Sequence, residues 1–164
     1  MMIAGERTVL RRVTPDDLPL LAGWFADTEF VRWWGGVAKS NDEVALQYLG
    51  REDGDEVVQA FIVLHGDVPI GYIQAWNDEP LIGGIDIVLL PAVHGRGYGP
   101  DAVGALARYL RDELGWKHIT IDPSVRNVRA IRAFEKAGFV PESELLDPRD
   151  GPLLVMTFAP DAVR

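Results

Sequence analysis

The chain has 164 residues, 48% of them apolar, no cysteine and a formal net charge of −9. That length suits one domain, taken as residues 1–164, with enough apolar material for a core. The missing cysteine excludes disulfides, thiolate metal sites and acyl-cysteine chemistry; the acidic balance disfavours nucleic acid, whose phosphates need clustered Lys and Arg; and no apolar run approaches the roughly 20 residues of a membrane span. In chain order, Thr8–Arg12 alternates and predicts a first strand. Thr14-Pro15-Asp16-Asp17, a hydroxyl cap followed by proline and acids, opens a helix carrying Leu18, Leu21 and Phe25. A second helix is predicted to begin near Ser40-Asn41-Asp42-Glu43. Val57–Leu64 and Pro69–Trp76 read as antiparallel strands around His65-Gly66-Asp67, and Asn77-Asp78-Glu79-Pro80 as the break after them. Gly84–Leu90 is the most apolar strand, interrupted by the single charge of Asp86 and ended by Pro91. The glycine-rich loop His94-Gly95-Arg96-Gly97-Tyr98-Gly99 then leads into a helix from Pro100 to about Glu113. Lys117–Ile121 is a short strand, Asn127–Ala137 a helix stopped by Gly138, and Phe139-Val140 with Leu153–Phe158 a last strand pair. Strand, helices, meander, helix, strand, helix, strands is the order of a layered α/β or α+β domain.

Three glycines between a buried strand and a helix allow backbone N–H groups to converge on an anion, and the helix N-terminus adds partial positive charge. The chemistry suits a pyrophosphate. A dinucleotide fold would place such a loop after its first strand, and a phosphate-cradling ATPase loop would carry Lys-Ser or Lys-Thr where this chain has Gly99-Pro100-Asp101. Asp101 suits the helix dipole but not a phosphate, so it is expected to point away from a ligand.

The loop, its helix and the downstream segment Asn127-Val128-Arg129-Ala130-Ile131-Arg132-Ala133-Phe134-Glu135-Lys136-Ala137-Gly138-Phe139 resemble the GCN5-related N-acetyltransferase superfamily. The resemblance implies one domain with a central mixed, mostly antiparallel sheet, splayed between its fourth and fifth strands and flanked by helices. It implies acetyl-coenzyme A as co-substrate, held through backbone groups of Val88 and Leu90, by His94, Gly95, Arg96, Gly97, Tyr98 and Gly99 at the pyrophosphate, and by Asn127 and Phe134 along the arm. His94 departs from the family's usual Gln or Arg. Phe134 departs from the Tyr that often protonates the leaving thiolate.

Further segments are similar to the aminoglycoside 6′-N-acetyltransferases: Val31-Arg32-Trp33-Trp34-Gly35-Gly36, Ile70-Gly71-Tyr72-Ile73-Gln74, Gly84-Ile85-Asp86, Asp122-Pro123-Ser124 and Asp150-Gly151-Pro152. A polycationic sugar needs carboxylates and flat surfaces. Asp86, a charge on an apolar strand, is costly to bury unless used or paired, and is expected to be the general base. Asp122 is expected to bind the acceptor, although Asp-Pro-Ser is also a turn starter and helix cap. Of Trp33 and Trp34, one is expected in the core and Trp34 in the cleft, with Trp76, Asp78 and Glu79 adding a wall and charge. The partner implied is a small cationic amine, with no nucleic acid, membrane or metal. The expected location is the cytoplasm, since no signal-peptide core follows Met1, and the expected assembly is a monomer or homodimer. Other acceptors (a siderophore lysine precursor, a polyamine, a protein N-terminus) and a non-catalytic acyl-coenzyme A binding module share the same loop region.

Overall fold

A computed structural model describes residues 1–48, 51–53 and 56–162, and their side chains other than those of 46–48, 51–53, 56 and 78. The strands are β1 (Met2–Ala4), β2 (Val9–Arg12), β3 (Arg51–Asp53), β4 (Glu56–His65), β5 (Val68–Glu79), β6 (Ile82–Leu89), β7 (His118–Ile121), β8 (Phe139–Asp147) and β9 (Gly151–Phe158). The helices are α1 (Leu18–Phe25), α2 (Asn41–Tyr48), α3 (Tyr98–Asp112) and α4 (Val128–Ala137). Of these, β1 and β3 were not predicted. Each has three residues, too few for alternation to register. Both exist as antiparallel additions to a neighbour, β1 on β2 and β3 on β4.

Local chemistry sets the helix starts. The Asp17 carboxylate accepts the Thr14 N–H at 2.8 Å and a two-pronged bond from the Arg11 guanidinium, also at 2.8 Å. The Arg11 bond holds the Asp17 pKa below its ordinary value and ties the entry of α1 to β2. Ser40 and Glu43 exchange bonds at the start of α2, a capping box. Asn127 caps α4 by accepting from the Ala130 N–H at 3.3 Å, and Gly138 ends it in the left-handed region (φ +105°).

The sheet runs β1-β2-β4-β5-β6-β7-β9-β8. Among the described residues its one parallel pairing is β6 with β7, the fourth and fifth of the strands predicted from sequence. That pairing covers only Ile82–Gly84 against His118–Thr120. Beyond Gly84 and Thr120 the two strands part, which is the splay the resemblance implies. One face of the sheet packs on α3 and α4 through Ile73, Ile85, Val103, Leu106, Leu110, Phe139 and Met156. The other packs on α1 and the turn after it through Phe25, Phe30, Val31, Ile62 and Tyr72. Ile85, Ile87 and Leu89 belong to the first face, and Val88 and Leu90 to the second, by the period-2 alternation of a strand.

The expected break at Asn77–Pro80 falls later in the structure. A register shift between Asn77 and Glu79 lets β5 run on to Glu79, and the turn is Pro80-Leu81, with Leu81 at φ +66°. No helix among the described residues is long and apolar enough to cross a membrane.

Candidate active site

Two cavities, of about 820 and 770 Å³, adjoin each other at the splay and share Arg32, Trp33, Ile87, Asn127, Ala130 and Phe134 as common wall. The smaller one runs along β6, the glycine loop and α4. Pro91–Val93 make a short 3-10 turn, after which Gly95 (φ +78°) and Gly97 (φ +85°) take left-handed conformations that L side chains resist. Gly97 is the N-cap of α3 and makes no side-chain capping bond. Among the described residues, the N–H groups of Gly95, Arg96 and Gly97 have no partner in the protein. A row of open N–H groups at a helix N-terminus is an anion cradle.

Asp101 is turned away from that cradle, as expected. Its carboxylate accepts the N–H groups of Glu6, Arg7 and Thr8 at 2.9, 3.1 and 2.9 Å, and the Thr8 hydroxyl at 2.6 Å. Burial opposes its charge, but these bonds outweigh burial and leave its pKa below the ordinary value. The Arg7 guanidinium donates to the Arg96 carbonyl at 2.7 Å, and the His65 ring packs on Tyr98 with centroids 4.6 Å apart. The glycine loop is thus braced from outside by the β1–β2 turn through Arg7 and by the β4–β5 turn through His65. His94 donates through Nε2 to the Leu89 carbonyl at 3.1 Å, while burial, followed by the Arg129 charge, pushes its pKa down and keeps it neutral.

Of the residues expected along the cofactor, Val88, His94, Gly95, Gly97, Tyr98, Gly99, Asn127 and Phe134 line this cavity, whereas Leu90 and Arg96 do not. Leu90 packs against the opposite face, its N–H bonds the Ile70 carbonyl at 2.9 Å and its carbonyl accepts the Val93 N–H. Arg96 points into solvent, although its N–H stays in the loop. The bond from Leu90 to Ile70 also fixes the phase of the β5–β6 ladder. In an antiparallel pair, residues alternate between bonding the partner strand and facing away from it. Val88, opposite Tyr72, therefore directs its backbone into β5. Ile85, Ile87 and Leu89 direct theirs toward the splay, in line with Thr120 donating to the Gly83 carbonyl and His94 to that of Leu89. The backbone groups turned toward the splay beyond the last pairing with β7 are those of Ile87 and Leu89, not Val88 and Leu90.

The larger cavity holds Asp86 and Asp122. Each lies two residues beyond the last paired position, Gly84 opposite Thr120, on strands that have just separated. Burial, and then the negative charge of Asp86, raise the Asp122 pKa to about 6. Asp86 accepts from Gln74 Nε2 at 2.9 Å, and Gln74 Oε1 accepts from the Tyr72 hydroxyl at 2.9 Å. Trp33, Trp34 and Trp76 border the same cavity. Trp34 is half-buried with its ring 5.9 Å from both Phe25 and Tyr72, and Trp33 is the 44% exposed one, below the Arg32 guanidinium at 5.1 Å. Trp34 borders the cavity as expected while also packing on the core, and the expected split between core and cleft fails because the exposed Trp33 borders the cavity too. Trp76 lies against Gly84, where a Cβ would fall 2.6 Å from the indole, so only glycine admits that packing. Glu79 is exposed at the β5–β6 turn and off the cavity, because β5 runs on past the expected break; the Asp78 side chain lies outside the described residues.

Sequence reasoning missed Gln74, Arg32, Asp147 and Asp150 on these walls. Asp147 and Asp150 come from the β8–β9 turn, where Asp147 accepts the N–H groups of Arg149 and Asp150 at 2.8 Å each. The wall is not purely acidic, since Arg32, Lys39, Arg126 and Arg149 also border it. Among the described residues no group of three His, Cys, Asp or Glu is placed to hold a metal.

Residues 7–140 match the acetyltransferase (GNAT) domain family. The aminoglycoside N(6′)-acetyltransferase type 1 of Klebsiella pneumoniae is 34% identical over 168 aligned positions, covering 93% of this chain and 83% of that protein. A structure of AAC(6′)-Ib in complex with paromomycin and acetyl-coenzyme A superposes with a TM-score of 0.83 at 33% identity, covering 96% of each chain. The aminoglycoside acetyltransferase AAC(6′)-Ib in complex with coenzyme A and kanamycin gives a TM-score of 0.82 at 32% identity, covering 94% of this chain and 96% of that one.

Proposed function

The chain belongs to the acetyltransferase (GNAT) family and is an acetyltransferase, and from that premise we propose that it transfers the acetyl group of acetyl-coenzyme A directly to the 6′-amine of an aminoglycoside in the cytoplasm. The observation that carries this reading is the placement of Asp86 and Asp122 on one cavity, beside the wall it shares with a second cavity that ends in an anion cradle. The likeness to the Klebsiella enzyme over most of both chains supports the acceptor class.

The residues fit coenzyme A. Open N–H groups at Gly95, Arg96 and Gly97 match a pyrophosphate, and the splay-facing backbone of Ile87 and Leu89 matches an extended amide-bearing arm. When bound, acetyl-coenzyme A supplies the activated acetyl thioester. Asp86 accepts the proton of the acceptor ammonium, so that free amine is available to attack. Asp122, across the splay, binds the same cation and is held ionised by it, since an opposite charge lowers a carboxyl pKa. The N–H group of Ile87, beyond the last pairing with β7, is a donor available to an acetyl carbonyl. Trp33, Trp34 and Trp76 offer flat faces to sugar rings. Phe134 is buried on both cavities and has no proton to give, so the thiolate leaves without a donor at that position.

An acceptor panel tests the reading. Aminoglycosides that carry a 6′-amine are expected to release thiol and gain one acetyl group by mass, and analogues lacking that amine to do neither. Equal turnover of the analogues would overturn the regiochemistry, and turnover confined to polyamines or peptide amines would overturn the acceptor class. The brace on the loop has its own test. Asp101→Ala is expected to weaken acetyl-coenzyme A binding several-fold in calorimetric titration while leaving saturated turnover near the original. An unchanged Kd would mean that the glycine loop keeps its shape unaided.

A further inference from the structure

Gln74 lies directly across from Asp86 in the β5–β6 register, and Tyr72 lies two residues back on the same face of β5. The fully buried Tyr72 donates its hydroxyl proton to Gln74 Oε1, and Gln74 Nε2 donates to Asp86 Oδ2, both at 2.9 Å. A primary amide has a carbonyl end that only accepts and an NH2 end that only donates. Turned over, the amide would set its carbonyl oxygen against a carboxylate oxygen, two acceptors with no proton between them. The charge on Asp86 therefore fixes the amide orientation, and the Tyr72 proton, satisfied only by the carbonyl end, holds it there. Donation runs one way, from Tyr72 through Gln74 to Asp86.

We infer that Gln74, oriented by Tyr72, is a positioning residue for this transferase: it holds the Asp86 carboxylate in one orientation and keeps it ionised for proton removal. This rests on Asp86 being the general base. A hydrogen bond donated to the charged form of a carboxyl lowers its pKa. Losing that bond raises it, so the pH below which turnover falls must move upward. Among the described residues, the other charged groups facing this cavity are Asp122 at the end of β7, Arg32 and Lys39 ahead of α2, Arg126 beyond β7, and Asp147, Arg149 and Asp150 at the β8–β9 turn. All of them are unchanged in the variants proposed, so the shift reports the amide.

The experiment is the pH dependence of kcat for the full chain, with saturating acetyl-coenzyme A and an acceptor it turns over. Gln74→Leu is expected to lower kcat about tenfold and to move the acidic limb up by about one pH unit, the size of one charge-assisted bond, with KM for acetyl-coenzyme A unchanged. Tyr72→Phe keeps the buried ring and is expected to move the limb the same way by less; it decides the matter alone if Gln74→Leu does not fold. Limbs that stay in place in the variants that fold, with Asp86→Asn inactive, overturn the inference and leave the base assignment standing. Full activity of Asp86→Asn overturns both.

Discussion

Replacing Asp86 by asparagine is expected to lower turnover by a factor of about 10² to 10⁴, the range for removal of a general base, while acetyl-coenzyme A binds as before. The substitution keeps the volume and leaves an amide that can still bond Gln74, so a fall in rate reports lost basicity and not a collapsed wall. Cofactor affinity is expected to hold because strand alternation puts Asp86 on the face of Tyr72 and Trp34, while the backbone groups turned to the cofactor cavity belong to the odd-numbered Ile87 and Leu89. Asp86→Ala is expected to match the asparagine variant in turnover. Rates under acetyl-coenzyme A saturation, paired with a calorimetric Kd, separate the two effects. Full activity in both variants would remove Asp86 from the chemistry, and a parallel loss of cofactor binding would make it structural. Since Phe134 cannot donate to the departing thiolate, the base is the one proton-transfer group that the reading assigns to this step.

Much of this was legible in the sequence. The glycine loop, the charge at Asp86 in an apolar strand and the capped helix after Asn127 are local signals, and each lies where the pattern put it. What alternation gives is the face of each side chain. It says nothing of which way the backbone N–H and C=O groups point, because that depends on the partner strand and its phase. Val88 and Leu90 were therefore expected on the cofactor when the ladder turns their backbone into β5. Gln74 escaped notice for a related reason: it is twelve residues from Asp86 in sequence, and only the register between β5 and β6 makes them neighbours. Trp33 and Trp34 both border the cavity where only Trp34 was expected there, because adjacent indoles in a turn have no period to read. Trp34 goes inward because Phe25 and Tyr72, from two distant elements, offer it a surface. The extension of β5 past Asn77 follows from a register shift, and turn-forming residues do not announce one.

Asp122→Asn is expected to make the protein more stable and a poorer enzyme. The Asp122 pKa stands at about 6, raised by burial and then by Asp86, against an ordinary 3.8. A group whose folded pKa lies above its unfolded one binds protons more tightly in the folded state. Stability therefore falls as pH rises from about 4 through about 6, and the cost is fully present at pH 7. Discounted for partial exposure, removing the charge is expected to return about 1–2 kcal/mol at neutral pH, or roughly 2–8 °C in Tm for a domain of this size. At pH 4 the gain should vanish. A variant that melts no higher than the parent at pH 7 would mean that Asp122 is not strained. In catalysis the sign reverses. The acceptor cation loses a carboxylate partner, and kcat/KM for the amine is expected to fall about ten- to a hundredfold, while Kd for acetyl-coenzyme A stays put. In the parent, lowering pH through 6 is expected to protonate Asp122 and reduce acceptor affinity, with proton release on acceptor binding near that pH, read from calorimetry in buffers of different ionisation enthalpy. A carboxylate kept in a partly buried place beside another, at a cost to stability, is accounted for by a cation that arrives to neutralise both. Acceptor binding that is indifferent to pH between 5 and 7 would leave that cost without a purpose.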